Sequence, residues 1–358
     1  MSLVINLAFL SQRPTGLTNY ALNLIPHLKT CSPHLLSADP TLWDAELSSH
    51  SISSSLSPDR GLKGHIRRLW WTQFSLPRLY QKFQGNLLFC PIPEAPLFTN
   101  CKTIVMVHDL IPLRFPHRQS PLSWYFRYGV PEVVAQATHI VCNSESTAAD
   151  VMKFCGIPSQ RITPIPLAYN PDRFRPLNLP RQNYFLYLGR SDPHKNLRRV
   201  IEAFSKIASI VEGELWIGGS SDRRYTPGLK RLVKERQISD RVIFLDYIPE
   251  ADLPILLNQA LALVFPSLWE GFGLPVLEAM ACGTPVITSN QSALPEVAGD
   301  AALLVDPYSI ETIAAAMKSI ARNPDLWQQL STAGLAQANR FSWEKTGEQT
   351  ANVISKFL

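Results

Sequence analysis

The sequence predicts an α/β protein of two doubly wound domains, and three observations carry that prediction. Short β-branched apolar runs recur, each followed by a polar or glycine-containing turn and then a helical pattern, as a parallel sheet flanked by helices requires. At 358 residues the chain exceeds one ordinary core and suits two. The stretch IPLAYNPDRFRPLNLPRQN, residues 165 to 183, is rich in proline and arginine and separates two such series. The expected division is a first domain over 1–170, a second over 171–340, and a terminal helical segment over 341–358. Periodicity leaves the place of that last segment open between the two domains, with packing back on the first as the expectation.

Taken in chain order, strands are expected near 3–9, 103–107, 138–142, 184–188, 214–217, 242–245, 261–265, 285–288 and 302–305. Their near-continuous apolar character suits strands covered on both faces. GLTNYALNLIPHL places Leu17, Ala21, Leu24, Ile25 and Leu28 at helical spacing, and STAADVMKFCG stops at Gly156, a natural helix end. The serine-rich LSSHSISSSLSPDRG, residues 47–61, reads as a mobile loop outside either core.

Composition narrows the function classes. Hydrophobic residues make up 46% and charged residues 18%, which argues for filled cores against disorder. A net charge of +5 falls short of the concentrated positive charge of a dedicated nucleic-acid binder, so no nucleic-acid partner is expected. The six cysteines form no C-x-x-C pair, which points away from a zinc site or disulfide framework and towards a reducing cytoplasm. The opening MSLVINLAFLSQ lacks the basic start and small-residue cleavage pattern of a signal peptide and reads as a buried first strand. No run reaches the roughly 18 apolar residues of a spanning helix.

Residues 60–84, RGLKGHIRRLWWTQFSLPRLYQKFQ, hold six cations (Arg60, Lys63, Arg67, Arg68, Arg78, Lys82), no acid, and interleaved Trp70, Trp71 and Phe74. Two readings stand side by side. One is a basic aromatic helix lying on an anionic bilayer, which would place the protein at the inner face of a membrane. The other is a domain helix that buries tryptophan and solvates its basic face, broken at Pro77.

In open parallel sheets, ligands bind beyond the carboxyl ends of the strands, where helix N-termini present free amides. Polar residues fall on such exits: Gly16 after the first strand, His108 and Asp109 after TIVMV, Asn143 and Ser144 after HIVC, Arg190 after YFLYLG, and Glu270 after LALVF. If both domains turn these exits inward, they line one cleft. The segment EGFGLP is the most informative. Gly271 and Gly273 allow close backbone approach, and Pro275 suits a first helical turn, so the amides of Gly273 and Leu274 are left for a phosphate. Glu278, about one turn further on, is placed to accept ribose hydroxyls, and Glu270 to orient a sugar. A lone acid at either place would be an ordinary solvated or helix-dipole carboxylate; the combined glycines, proline and acids point to a site.

GRSDPHKN, residues 189–196, adds Arg190 and Lys195, two cations suited to the charge growing on a departing diphosphate. His108 beside Asp109 reads as either a general-base pair or a polar lining. No D-x-D pair is present for a divalent cation, so no metal is expected. Gly16 stands alone where a dinucleotide fingerprint needs three glycines, which argues against nicotinamide or flavin.

FPSLWEGFGLPVLEAMACGTPVITSN followed by LPEVAGDAALLVDP resembles the C-terminal domain of glycosyltransferase family 4, a retaining family of the GT-B fold with two Rossmann-like domains. The resemblance extends through GRSDPHKN and, more loosely, TGLTNYALNL, RLWWTQFSLP, MVHDLIPL and VCNSESTAADV. It implies that Glu270 and Glu278 are the family's E-x7-E pair, contacting donor sugar and ribose, with Gly271, Phe272, Gly273 and Leu274 beside the diphosphate. It further implies diphosphate contacts from Arg190 and Lys195, a substrate-side loop at Gly16, His108 near the transferred sugar, and Ser144 and Ile248 among the donor-binding residues. Asp246 stands where a glycine is common, which touches the base contacts near Ile248.

The implied activity is metal-independent transfer of a hexose, mannose from GDP-mannose first and UDP-glucose or UDP-N-acetylglucosamine next, with no cofactor. The acceptor class stays open among glycan, lipid-linked sugar and small glycoside. A GT-B epimerase or phosphorylase, or a non-catalytic sugar-nucleotide-binding partner, is the alternative.

Overall fold

The structure, a computed structural model, describes residues 2–11, 15–116 and 121–358. The chain divides into two compact units, Met1–Leu167 with Ser342–Leu358, and Ala168–Phe341.

The first unit is built on a seven-stranded parallel sheet: β1 (Leu3–Asn6), β2 (His34–Ser37), β3 (Ser48–Ser51), β4 (Leu87–Cys90), β5 (Thr103–Val107), β6 (His139–Cys142) and β7 (Ile162–Pro164). Its helices are α1 (Gly16–Leu24), α2 (Gly61–Phe74), α3 (Leu76–Lys82), α4 (Ile111–Arg114), α5 (Pro121–Trp124), α6 (Val130–Gln136) and α7 (Glu145–Cys155). The central strands β1, β4, β5 and β6 are buried along their whole length, the signature of a sheet covered on both faces.

The second unit has a six-stranded parallel sheet: β8 (Tyr184–Leu188), β9 (Glu214–Gly218), β10 (Val242–Asp246), β11 (Ala262–Phe265), β12 (Val286–Ser289) and β13 (Leu303–Val305). Around it lie α8 (Leu197–Ile207), α9 (Thr226–Glu235), α10 (Leu253–Gln259), α11 (Leu274–Ala281), α12 (Leu294–Ala298), α13 (Ile310–Arg322) and α14 (Pro324–Ala338). The last helix, α15 (Trp343–Ser355), belongs to the first unit, where it packs on α1 and on the 3-10 turn Ile25–Cys31.

Strand order decides where ligands go. In the first sheet the order is β3-β2-β1-β4-β5-β6-β7, so the winding reverses between β1 and β4. In the second it is β10-β9-β8-β11-β12-β13, reversing between β8 and β11. At each reversal the flanking connections leave in opposite directions and open a crevice at the carboxyl edge.

Several expectations are corrected. Strands β2, β3, β4 and β7 fall outside the expected strand ranges. The serine-rich 47–61 stretch is no free loop: Ser48–Ser51 pairs with β2 along four residues, and Ile52 and Leu56 enter the core. The predicted helix over 16–28 ends at Leu24 and tightens into 3-10 geometry at Pro26, whose missing amide cannot continue it. Arg68 leaves the solvated basic face and is buried against Glu94, with Nε–Oε2 at 2.6 Å. Trp70, expected inside under the domain-helix reading, is exposed. All six cysteines are free. Among the described residues no helix is long and apolar enough to cross a membrane, and no group of three or more His, Cys, Asp or Glu is placed to hold a metal.

Candidate functional site

In the second unit the loop after β8 and the loop after β11 meet at the point of strand reversal. Lys195 comes from the first loop and Glu270 from the second, and the Lys195 ammonium lies 2.8 Å from both Glu270 carboxylate oxygens. The pair is largely screened from solvent, so its attraction is stronger than that of a surface pair. The loops are tied together by backbone: the Leu268 amide donates to the His194 carbonyl at 2.7 Å.

Asn196 locks this geometry. Its backbone sits at φ +64°, a left-handed conformation that asparagine tolerates, and its buried amide donates to the carbonyls of Pro266 at 2.9 Å and Pro307 at 2.6 Å. One side chain therefore joins three loops. Tyr187 supports the same turn from β8, its hydroxyl 3.3 and 3.2 Å from the carbonyls of Arg190 and Lys195. Neither residue was singled out from the sequence; the left-handed preference of asparagine directly ahead of a helix was the available signal.

Gly273 caps α11 at φ +123°, a conformation that disfavours any other residue, and a Cβ added there would lie 2.8 Å from Leu294 Cδ2. With Pro275 in the first turn and no side-chain cap, the amides of Gly273 and Leu274 have no hydrogen-bond partner among the described residues. Phe272 is buried edge-on against Phe341 at 6.0 Å, which leaves its main chain as its contribution to the loop. The Glu270 amide donates to Ser292 Oγ at 3.1 Å, fixing the loop from its other side.

Glu278 lies on α11 beyond this start. Burial pushes its carboxyl up to about 8; the Arg173 guanidinium opposes that rise and Glu250 adds to it. Arg190 is not gathered with Lys195: it is exposed and paired with Asp192 at 3.2 Å. Ile248 packs on Gly218, where an added Cβ would come within 2.2 Å of its Cδ1. Asp246 takes φ +53° at a bulge between β9 and β10, and its carbonyl accepts from the Gly219 amide at 2.8 Å. A glycine is at home in that conformation, and aspartate is among the few residues that replace it cheaply.

In the first unit, His108 and Ser144 are brought together at the ends of β5 and β6. Ser144 caps α7 by accepting from the Thr147 amide at 3.0 Å, and the Thr147 hydroxyl reaches the His108 carbonyl at 3.4 Å. Tyr20 on α1 meets the His108 ring edge-on at 4.7 Å. Burial pushes His108 down to about 4, so it is neutral near pH 7. Its Nε2–H donates to the Pro91 carbonyl at 2.9 Å, which leaves Nδ1 as an acceptor. Gly16 opens α1; a Cβ added there meets nothing within 4 Å, so packing does not demand glycine. Beyond β1 and β2 lies a cavity of about 580 Å3 lined by hydroxyl and charged groups, Ser11, Asp39, Ser54, Asp59 and Arg60 among them, and by Leu10 and Leu42.

Comparison with known proteins follows the same division. The family profile described as "Glycosyl transferases group 1" matches residues 170–337, and that of "Glycosyltransferase Family 4" matches residues 14–173. The O-antigen chain mannosyltransferase RfbU of Salmonella typhimurium is 30% identical over 90% of this chain and 92% of its own. The O-antigen chain mannosyltransferase B of Escherichia coli is 34% identical over 64% of this chain and 63% of its own, so this chain spans just under two thirds of it. Among solved structures, a sucrose-phosphate synthase from Thermosynechococcus elongatus aligns at a TM-score of 0.77 with 20% identity over 99% and 98% of the two chains. Anabaena Alr3699/HepE, solved with UDP and glucose, aligns at 0.76 with 15% identity over 99% and 100%. These likenesses establish the fold as GT-B.

Proposed function

The chain belongs to glycosyltransferase family 4, and from that premise we propose that it moves a hexose from a nucleoside diphosphate sugar to an acceptor hydroxyl with retention of anomeric configuration. The observation that carries this reading is the Lys195–Glu270 pair at the strand reversal beside the bare amides of Gly273 and Leu274. Fixed positive charge and unpartnered donors at one place suit a diphosphate whose charge grows as it leaves.

In the proposed reaction the bond between the anomeric carbon and the phosphate oxygen breaks as the acceptor oxygen attacks from the same face. The acceptor proton passes to the departing phosphate oxygen. Lys195 and the α11 amides stabilise the leaving charge without a metal. Glu270 orients both Lys195 and the sugar hydroxyls and forms no covalent bond. Glu278 faces the ribose, and Ile248 with the main chain near Gly218 borders the base. Arg190 joins the diphosphate by exchanging Asp192 for phosphate. Within the first unit, neutral His108 offers Nδ1 as an acceptor for a sugar hydroxyl, and Ser144 and Gly16 are that unit's further substrate-binding candidates. The hydroxyl-rich cavity beside Asp39 and Asp59 suits a glycan acceptor.

Mannose carried by GDP is the first donor, in keeping with the mannosyltransferases that the chain resembles. Thermal shift against GDP-mannose, UDP-glucose and UDP-N-acetylglucosamine tests the donor, because a ligand at about 100 times its Kd adds roughly 2.7 kcal/mol to apparent stability. Lys195→Ala tests the mechanism: turnover falls by at least about 10²-fold, measured as release of nucleoside diphosphate in the presence of a chelator. Turnover within about threefold of the parent removes Lys195 from the assignment, and dependence on added metal removes the metal-free route.

A further inference from the structure

Between α5 and α6 the chain runs through a π turn, Tyr125–Gly129, closed by the Val130 amide donating to the Tyr125 carbonyl. Such turns are rare and gather at functional sites. Here the causes are local. Pro131 has no amide with which to bond back to Arg127 and restore the α pattern. A Cβ at Gly129 would lie 2.7 Å from the Tyr125 ring, so glycine lets that ring close on the turn. The Tyr125 hydroxyl donates to the Pro93 carbonyl at 2.6 Å, and the ring meets His65 edge-on at 5.9 Å. With Tyr125 tied inward, Trp124 and Tyr128 are left 61 and 53% exposed, their rings 5.1 Å apart and 33° from parallel. Tyr125 alone anchors the turn, and nothing in that anchorage calls for two further aromatic rings in water.

The pair borders a groove of about 660 Å3, within the about 300–1,000 Å3 usual for small-molecule sites. Pro112 and Leu113 on α4 and Phe154 on α7 add apolar lining, and Arg127 is its charged member. The Phe154 side is held in place: Arg114 Nε lies 2.9 Å from Asp150 Oδ2, and the same guanidinium covers the Phe154 ring at 5.3 Å. Arg127 lies 5.5 Å over the Tyr128 ring and forms no ion pair among the described residues, so its donors remain for a ligand.

We propose that this groove binds a glycan chain, with successive sugar rings laid on Trp124 and Tyr128. A pyranose has a face of C–H bonds, which packs on the negative face of an aromatic ring, and a rim of hydroxyls that needs hydrogen-bond partners. The groove meets both needs, with Arg127 as donor and no acid in its lining. Tryptophan and tyrosine supply that area with only two side-chain torsions each to fix. Position names the occupant. Helices α4 and α7, which both line the groove, begin at the β5 and β6 exits, the edge that carries His108 and Ser144. Phe154 stands about 14 Å along α7 from its start at 1.5 Å per residue, so the aromatic pair receives sugars behind the one at that edge. A polyproline segment also packs on aromatic rings, but it brings no sugar to that edge. The inference rests on the transferase reading in taking the glycan as acceptor.

The full chain is titrated calorimetrically with mannose, glucose and N-acetylglucosamine oligosaccharides of two to six units, with no turnover needed. Affinity for at least one series is expected to rise with length. Trp124→Ala with Tyr128→Ala lowers affinity for its hexasaccharide by at least about tenfold, whereas Trp124→Phe, which keeps an aromatic face, retains most of it. Both side chains are exposed, so unchanged melting and unchanged stabilisation by nucleotide show that the variants fold. The nucleotide shift also tests the donor reading separately. Its absence from the parent with oligosaccharide binding kept removes the transferase reading and supports the glycan site; nucleotide binding with no oligosaccharide binding overturns the glycan site alone. Equal binding by the double variant, binding of a polyproline peptide in place of every oligosaccharide, or a concentration-dependent dimer that the double variant dissolves also overturns it.

Discussion

Glu278 and Gly219 show how single residues bind this site to its fold. A carboxyl held up to about 8 by burial, against an ordinary 4.5, keeps its proton in the folded chain over a window in which the unfolded chain has lost it. The folded state then binds more protons, so stability falls as pH rises from about 4.5 to about 8 and levels off above. Glu278→Gln removes that slope, and melting temperature against pH for the two proteins is the check; parallel curves over the window would show the carboxyl to be ionised in the fold. If Glu278 accepts ribose hydroxyls as a carboxylate, nucleotide affinity in the parent rises over the same window and is weak and flat in the variant. Gly219 is a geometric case. It stands at φ +147°, and an added Cβ would lie 1.9 Å from the Gly189 carbonyl oxygen, directly behind the loop that carries Arg190 and Lys195. Backbone strain of this kind costs about 1–3 kcal/mol, and relief by shifting the loop displaces Lys195. Gly219→Ala is therefore expected to lower both stability and turnover, with denaturant melts and diphosphate release as the readouts.

Elements differed in how much of them the sequence disclosed. β5, β8 and β11 lie inside their sheets, are buried throughout, and appear as unbroken apolar runs, TIVMV, YFLYL and ALVF. β3 does not, because it is an edge strand whose SSHS faces are mostly open and need no apolar residue; only its pairing with β2 makes it a strand. β4 and β7 are short and end at or beside proline, which reads locally as a turn. The site was legible where a local rule sets it: glycine, proline and acid around α11 follow from helix-start chemistry. Lys195 meeting Glu270 and Asn196 joining three loops are contacts across 75, 70 and 111 residues, and strand order fixes them where no spacing does. Helix α2 was half legible. Its lack of acids was plain, but the burial of Arg68 depends on Glu94, 26 residues away. The fit of α15 is an element-scale test. Gly347 faces His27, and an added Cβ would come within 2.2 Å of the His27 Cβ. Alanine in a helix interior gains up to about 1 kcal/mol over glycine, while overpacking costs about 1–3 kcal/mol, so Gly347→Ala is expected to destabilise the first unit in a thermal melt. Stabilisation would mean that α15 shifts freely.

For the molecule as a whole, connectivity matters more than any single contact. The chain leaves the first unit at Leu167, builds the second through Phe341, and returns with Ser342–Leu358, so the first unit is completed only by the last residues of the sequence. Trp343, Val353 and Ile354 are buried there, Thr346 donates to the Pro166 carbonyl at 2.8 Å, and Trp343 lies 6.2 Å from Tyr20, the residue that also borders His108. Each such apolar side chain is worth about 1.5–3 kcal/mol of burial, a large share of the roughly 5–15 kcal/mol that holds an ordinary domain together. The second unit gains nothing from these contacts, and its Lys195, Glu270 and α11 amides all lie before Phe341. Deleting residues 342–358 is therefore expected to lower the melting of the first unit while nucleotide still raises the melting of the second. Under the proposed function, transfer is lost with nucleotide binding kept, which separates unfolding of the first unit from damage to the second. Calorimetry with and without nucleotide reads both transitions. A deletion that shifts both transitions equally, or abolishes nucleotide binding, would show that the two units do not hold their stability independently and that the returning helix serves the whole chain.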